Sequence, residues 1–112
     1  MTVARISEIL GAKLIAGEDM LESDVHSACG SDLMSDVLAF VKDQSVLITG
    51  LSNAQTVRTA EMMDIICIVL VRGKIASSEL IALAKDRGIA VMQTNYSMYN
   101  ACGLLYANGL RG

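Results

Sequence analysis

Residues 65–71 place the strongest constraint on how this chain can fold. They are seven consecutive apolar residues, most of them β-branched. A strand with one face in water alternates apolar and polar side chains, whereas a strand covered on both faces is apolar throughout. We therefore expect residues 65–71 to form a buried strand of a parallel sheet that is packed between helices.

Shorter apolar runs lie on either side of this segment, near residues 46–49 and 89–94. Helical patterns separate the three runs, with Asn53 as the candidate N-cap of the first helix and either Ala76 or Ser77 as that of the second. Alternation of strands and helices at this spacing is typical of βαβ units, whose right-handed crossovers lay parallel strands side by side. The sequence thus predicts an α/β fold: a βαβ-type three-layer domain with a mainly parallel central sheet.

The first third of the chain predicts a short N-terminal α–β extension of this sheet. A helix is expected over residues 3–10, with Thr2 as its N-cap. A short strand over 13–16 follows, and a second strand is expected within 24–29. We expect this extension to cover or lengthen one edge of the sheet, so that residues 1–112 form a single domain.

The charge pattern limits the partners that the chain can bind. The net charge is −3, with eight acidic and three basic side chains in residues 1–44 but four acidic and six basic in 45–112. Nucleic-acid binding relies on clustered Lys and Arg, so we expect no nucleic-acid partner. Polar residues interrupt every long apolar stretch, so we expect no membrane partner either. A local anion site in the second part is compatible with this pattern.

The familiar motifs of catalysis and metal binding are absent from the sequence. Neither a phosphate-binding loop nor a G-x-G-x-x-G follows any predicted strand. The single histidine, His26, has no marked nucleophile to activate, and the three cysteines form no C-x-x-C pair. We therefore predict no catalytic residue, no metal and no cofactor, and expect a non-enzymatic protein of the cytoplasm.

Polar residues follow each predicted parallel strand. Ligands of open α/β sheets bind outside the carboxyl ends of the strands, where helix N-termini also favour anions. Loops at this edge are polar in most α/β folds, so the alternative is a solvated edge without a ligand. The candidate ligand-binding residues are Thr49, Gly50, Ser52, Asn53, Arg72, Gly73, Lys74, Thr94, Asn95 and Ser97.

The last predicted helix, residues 98–107, is apolar on two faces. One stripe runs from Met98 to Leu105, and the other contains Tyr99, Gly103 and Tyr106 at helical spacing. A helix that is apolar on two faces needs two partners. We predict that Tyr99, Gly103 and Tyr106 form the interface of a homodimer. The alternative is that residues 1–16 cover this second stripe within one monomer.

Several segments of the chain resemble the DRTGG domain family along nearly its full length. They are Glu8-Ile9-Leu10-Gly11-Ala12, Ala16-Gly17-Glu18, Ser45-Val46-Leu47-Ile48-Thr49-Gly50 and Gly88-Ile89-Ala90-Val91. The motifs that name the family are largely degenerate. Its Asp-Arg pair falls on Ser52-Asn53, its Thr-Gly-Gly on Val71-Arg72-Gly73, and a later Asp-Thr-aromatic on Ser97-Met98-Tyr99.

The resemblance implies a regulatory or assembly module, and we expect this chain to be a stand-alone member. Domains of this family accompany nucleotide-binding domains in regulated pyrophosphatases and are similar to the N-terminal domain of HPr kinase/phosphorylase. We expect a non-catalytic regulatory or scaffolding module that homodimerises and binds a partner enzyme. The alternative function is a sensor domain that binds a small anion or nucleotide at the carboxyl ends of the parallel strands.

Overall fold

A computed structural model of the protein describes residues 1–40 and 43–112. Five strands form the sheet: β1 (Lys13–Ala16), β2 (Ser27–Gly30), β3 (Ser45–Thr49), β4 (Ile65–Leu70) and β5 (Ala90–Gln93). The helices are α1 (Val3–Leu10), α2 (Met34–Phe40), α3 (Ala54–Met62), α4 (Ser78–Arg87) and α5 (Met98–Ala107). A short 3₁₀ turn lies at Glu18–Met20.

The strand order is β1-β5-β4-β3-β2, which puts β4 at the centre of the sheet. It pairs in parallel with β3 on one side and β5 on the other. The predicted α/β fold with a mostly parallel sheet is thus confirmed. The strand predicted over 65–71 ends at Leu70, and Val71 is buried at the start of the turn that follows.

Helices cover both faces of the sheet, and the sheet separates the core into two clusters. Val37, Val57 and Leu80, from α2, α3 and α4, pack on one face. Ile6 of α1 and Leu105 of α5 pack on the other. Parallel strands β2 to β5 lie in chain order, and right-handed crossovers made in one direction bring all connecting helices to the same face.

The N-terminal third lengthens both edges of the sheet, so the prediction of a single edge was wrong. Strand β1 lies antiparallel beside β5, whereas β2 lies parallel beside β3 at the far edge. The reason is that α1 leads into β1 at the β5 edge, and the segment around residues 17–26 then crosses to the β3 edge, where β2 pairs. The amide of Ala28 in β2 donates to the carbonyl of Arg111, so the C-terminal tail borders that outer edge.

Side chains at the helix ends satisfy the free backbone groups there. Thr2, Asn53 and Ser77 each accept a hydrogen bond from a first-turn amide of α1, α3 and α4, as the sequence predicted. Gly88 ends α4 at a φ of 68°, in the left-handed region that glycine adopts without strain. None of the helices in residues 1–40 and 43–112 combines the length and the apolar composition that a membrane span requires.

Candidate functional site

The carboxylate of Asp32 is the centre of a polar cluster at the carboxyl edge of the sheet. Asp32 lies between β2 and α2, and its Oδ1 accepts the Gly50 amide at 2.5 Å and the Thr49 hydroxyl at 3.0 Å. Its other oxygen, Oδ2, lies 3.7 Å from Nη2 of Arg72. Three donors from two neighbouring strand ends therefore converge on one carboxylate.

The backbone of Arg72 adopts a left-handed conformation, which is uncommon for a residue with a side chain. It has a φ of 57°, and the next residue, Gly73, has a φ of 64°. The Lys74 amide donates to the Val71 carbonyl, so the chain makes a tight turn with both central residues at positive φ, as in a type I′ turn. A left-handed conformation costs a residue with a side chain about 1 kcal/mol.

Gly50 leaves room for the Arg72 side chain. A Cβ atom at Gly50 would overlap Nη2 of Arg72, lie 3.2 Å from its Cζ and lie 3.3 Å from Oδ1 of Asp32. Because glycine has no side chain, the guanidinium can lie over the end of β3. The residue at position 50 thus contributes an amide donor and the space above it.

The cluster holds Asp32 in its ionised form. The Gly50 amide has the largest effect and lowers the pKa of Asp32 below its ordinary value, with smaller contributions from the Thr49 hydroxyl and the Arg72 guanidinium. Burial opposes this shift, but less strongly than the amide favours it. Hydrogen bonds to the charged form of a carboxyl group stabilise that form. Asp32 is therefore a carboxylate at neutral pH.

The gap between the ends of β4 and β5 is closed by backbone hydrogen bonds. The chain leaves β4 toward α4 on one face and β5 toward α5 on the other, which is where an open sheet forms a binding crevice. Here the Arg72 amide donates to the Tyr96 carbonyl at 2.8 Å, and the Gly73 amide donates to the Thr94 carbonyl at 2.9 Å. These bonds join the two loops, so the polar cluster lies instead over the end of β3.

Of the ten candidate ligand residues, Thr49, Gly50 and Arg72 come together at Asp32. Four others have structural contacts. The side chains of Asn53 and Ser97 cap α3 and α5. Thr94 is buried and its hydroxyl donates to the Leu10 carbonyl, while the Ser52 carbonyl accepts the Ser77 amide.

The remaining candidates lie at the rim of the cluster. Lys74 and Asn95 are exposed, and Gly73 lies between the two loops. A Cβ atom at Gly73 would stand 3.1 Å from Oδ1 of Asn95, so this amide side chain lies directly beside the Arg72 turn. Lys74, two residues along the chain from Arg72, adds a second positive charge to this edge.

Asp32 is absent from the residues that the sequence predicts for this site, because ligands are expected there only after the three strands of the second part of the chain. The signal was nevertheless present, because a strand was predicted just before Gly30 and Asp32 follows it directly. A fourth parallel strand ends at the same edge as the other three, which places Asp32 beside Thr49 and Gly50.

The second candidate surface is the outer face of α5. Ala101 and Leu105 on its inner face are buried in the core with α1, while Tyr99 is 87% exposed and Tyr106 is 60% exposed. Residues 1–16 therefore leave the second stripe uncovered, and the alternative in which they cover it was wrong. Gly103, between the two tyrosines, is also exposed, and a shallow groove runs along this face.

The three cysteines and the other potential metal ligands are distributed over the described residues rather than gathered in one place. Within 1–40 and 43–112, no three His, Cys, Asp or Glu side chains come together as a metal site. Burial raises the pKa of the Cys67 thiol to about 12 and raises the pKa values of Cys29 and Cys102 as well. A reactive cysteine needs a lowered pKa, so the raised pKa values are those expected of cysteines that serve as packed side chains.

These features define a small α/β domain with a polar loop cluster at one edge of the sheet and an uncovered helix on one face. The chain belongs to the DRTGG domain family, whose sequence model matches residues 5–107. This confirms the family that the sequence segments indicated. No curated protein sequence matches the chain closely enough to be identified as a relative.

A solved structure has the same fold. It is the regulatory region of a Clostridium perfringens pyrophosphatase, comprising CBS and DRTGG domains in complex with the activator diadenosine tetraphosphate. The TM-score is 0.73 at 18% sequence identity, over 93% of the present chain. The match covers 45% of the pyrophosphatase regulatory region, so the present chain spans less than half of the length of that structure.

Proposed function

We propose that this DRTGG domain is a non-catalytic regulatory module that acts as a homodimer joined through α5. The observation that carries the proposal is the exposure of Tyr99 and Tyr106 on one face of that helix. Tyrosine is enriched in protein interfaces, because its ring is apolar and its hydroxyl tolerates water. Tyr99 and Tyr106 flank Gly103 on the same helix face, and large apolar side chains that are exposed together are typical of a protein-binding face.

The charge of this face favours a second copy of the same chain. Residues 96–110 contain no charged side chain. A twofold interface places each surface patch against itself, so a charge near the twofold axis would face a like charge. Gly103 lies near the middle of α5, where the absence of a side chain allows two helices to approach closely.

A helix crossing at Gly103 also accommodates the charge at the end of this face. The Arg111 guanidinium lies 3.8 Å from the centre of the Tyr106 ring. In an antiparallel twofold arrangement, the Arg111 side chains of the two copies lie at opposite ends of the interface. The face therefore pairs with itself without bringing these two cations together.

The regulatory role is supported by the solved structure with the same fold, which is part of the regulatory region of a pyrophosphatase. By analogy, we propose that the dimer binds a partner enzyme and alters its activity. The faces that remain free in the proposed dimer include the carboxyl edge of the sheet and the helices α2, α3 and α4.

Disulfide cross-linking tests the proposed interface. In a Cys29→Ala, Cys102→Ala background, Gly103→Cys is expected to form an intermolecular disulfide rapidly under mild oxidation, because the twofold axis passes near this residue. The control is Met62→Cys, which is 73% exposed but on α3, across the sheet. Equal cross-linking of the two variants would contradict the proposed interface.

A second candidate function, oxyanion binding, is favoured by the donors around Asp32. A backbone amide, a hydroxyl and a guanidinium are the groups that bind phosphate and carboxylate in proteins. Here the three come from Gly50, Thr49 and Arg72 and point at one position. Titration of ¹⁵N-labelled protein with inorganic phosphate is expected to shift the Gly50 amide resonance, and a spectrum that is unchanged both in the unaltered protein and in Asp32→Ala would exclude the site.

A further inference from the structure

We propose that the Asp32 carboxylate is an internal ligand of the oxyanion site and that a phosphate group must displace it to bind. The inference rests on the second candidate function, oxyanion binding at Gly50, Thr49 and Arg72. In this arrangement the domain has a closed state, with Asp32 on the donors, and an open state, with an external phosphate on them. The segment between β2 and α2 is released when the site fills.

The occupancy of the donors is the first argument. The Gly50 amide and the Thr49 hydroxyl each have one hydrogen, and both donate to Oδ1 of Asp32. Oδ2 of the same carboxylate faces the guanidinium. An external anion at these donors would lie within about 3–4 Å of the carboxylate, where two negative charges repel each other strongly. Asp32 and an external oxyanion therefore cannot occupy the donors together.

The conformation of Arg72 is the second argument. Its side chain and that of Asp32 are about half exposed, and an exposed ion pair contributes about 0–1 kcal/mol to stability. The positive φ of Arg72 costs about the same. The arginine therefore adds little to the stability of the fold. Strained residues that add no stability are concentrated at binding sites, where a side chain must be held in one position.

The competition with Asp32 determines which anions can bind. A tethered carboxylate is present at a high effective concentration, about millimolar or more. An external carboxylate offers the same chemistry without the tether, so it cannot displace Asp32 at ordinary concentrations. A phosphate group has up to two negative charges and more acceptor oxygens, and it forms paired hydrogen bonds with a guanidinium.

Release of Asp32 loosens a short, defined segment. Residues 31–33 connect β2 to α2. Besides the contacts of Asp32, two hydrogen bonds hold this segment: the Ser31 amide donates to the Ile48 carbonyl, and the Leu33 amide donates to the Ser31 hydroxyl. The Ser31–Ile48 bond stays when Asp32 leaves, so the strand pairing of β2 is retained. The expected change is local and follows the binding of phosphate.

NMR titration with inorganic phosphate, and separately with acetate, tests the displacement. Three variants of ¹⁵N-labelled protein are compared with the unaltered chain: Asp32→Ala empties the donors, Arg72→Gly removes the guanidinium, and Asp36→Ala is the control. Asp36 lies on α2 and is exposed, and its loss changes the net charge by the same amount as the loss of Asp32. Asp32→Asn, which keeps an acceptor oxygen, replaces Asp32→Ala if the alanine variant does not fold.

The expected result is that Asp32→Ala binds phosphate at least about tenfold more tightly than the unaltered chain or Asp36→Ala, since one charged hydrogen-bonded group no longer competes. Acetate is expected to bind Asp32→Ala only, and Arg72→Gly is expected to bind neither anion. Phosphate affinity equal in Asp32→Ala and the unaltered chain would overturn the displacement while leaving the oxyanion site intact. Absence of binding in every variant would overturn both.

Discussion

The amide nitrogen of Gly50 lies 2.5 Å from Oδ1 of Asp32, although the two residues are 18 positions apart in the sequence. This bond joins the segment after β2 to the end of β3. It also has the largest effect in lowering the pKa of Asp32. The same contact therefore links the stability of the domain to pH.

The lowered pKa of Asp32 predicts a loss of stability in acid. A carboxyl group whose folded-state pKa lies below its ordinary value of 3.8 stabilises the folded state above that value. This contribution is lost as the pH falls through the folded-state pKa. The difference in the free energy of unfolding between the unaltered protein and Asp32→Asn should be constant near neutral pH and should narrow below pH 3.8. Urea unfolding at pH 6 and pH 3 measures it, and an unchanged difference would contradict the prediction.

Arg72→Gly is predicted to leave stability unchanged or to increase it by up to about 1 kcal/mol. Glycine adopts the φ of 57° without strain, and the exposed ion pair lost with Asp32 contributes little. Thermal unfolding of the variant and of Arg58→Gly, an exposed arginine inside α3, provides the comparison. The control should be destabilised by about 1 kcal/mol, because glycine disfavours helix interiors. A lower midpoint for Arg72→Gly than for the unaltered protein would show that Arg72 supports the fold.

Gly17→Ala is predicted to destabilise the domain far more than Gly11→Ala. Both glycines have positive φ values, of 95° and 54°. A Cβ atom at Gly17 would lie 2.7 Å from the Cα of Ala90 in β5, whereas one at Gly11 would meet nothing within 4 Å. The expected losses are about 2–4 kcal/mol for Gly17→Ala and about 1 kcal/mol for Gly11→Ala. Equal losses in urea unfolding would mean that the backbone near Gly17 moves away from β5.

Local patterns in the sequence were sufficient to predict most of the secondary structure. The apolar run at 65–71 gave the central strand because a strand covered on both faces has no polar positions. Thr2 and Asn53 marked helix starts because their side chains satisfy free amides. The placement of β1 and β2 at opposite edges was not predictable in this way. A four-residue strand carries no pattern that specifies its partner, and the pairing of β1 with β5 depends on the path of the whole chain.

The candidate site was only partly predictable, since a polar side chain near a helix N-terminus can either bind a ligand or cap the helix. Asn53 and Ser97 have the polar side chains expected of ligand contacts, but here they cap helices. Both roles use the same side-chain oxygen near a helix N-terminus, so sequence alone does not separate them. The position of Asp32 in the site depends on the pairing of β2 with β3, which brings together residues that are distant in sequence.

Sedimentation equilibrium over a range of protein concentrations tests the proposed homodimer most directly. The unaltered protein should approach twice the 11.9 kDa mass of one chain. Tyr106→Glu should remain at the mass of one chain, because a twofold interface would place two new carboxylates in an apolar contact. Met62→Glu, on the opposite side of the sheet, should dimerise like the unaltered protein. A single-chain mass for the unaltered protein at high micromolar concentration would contradict self-association through α5.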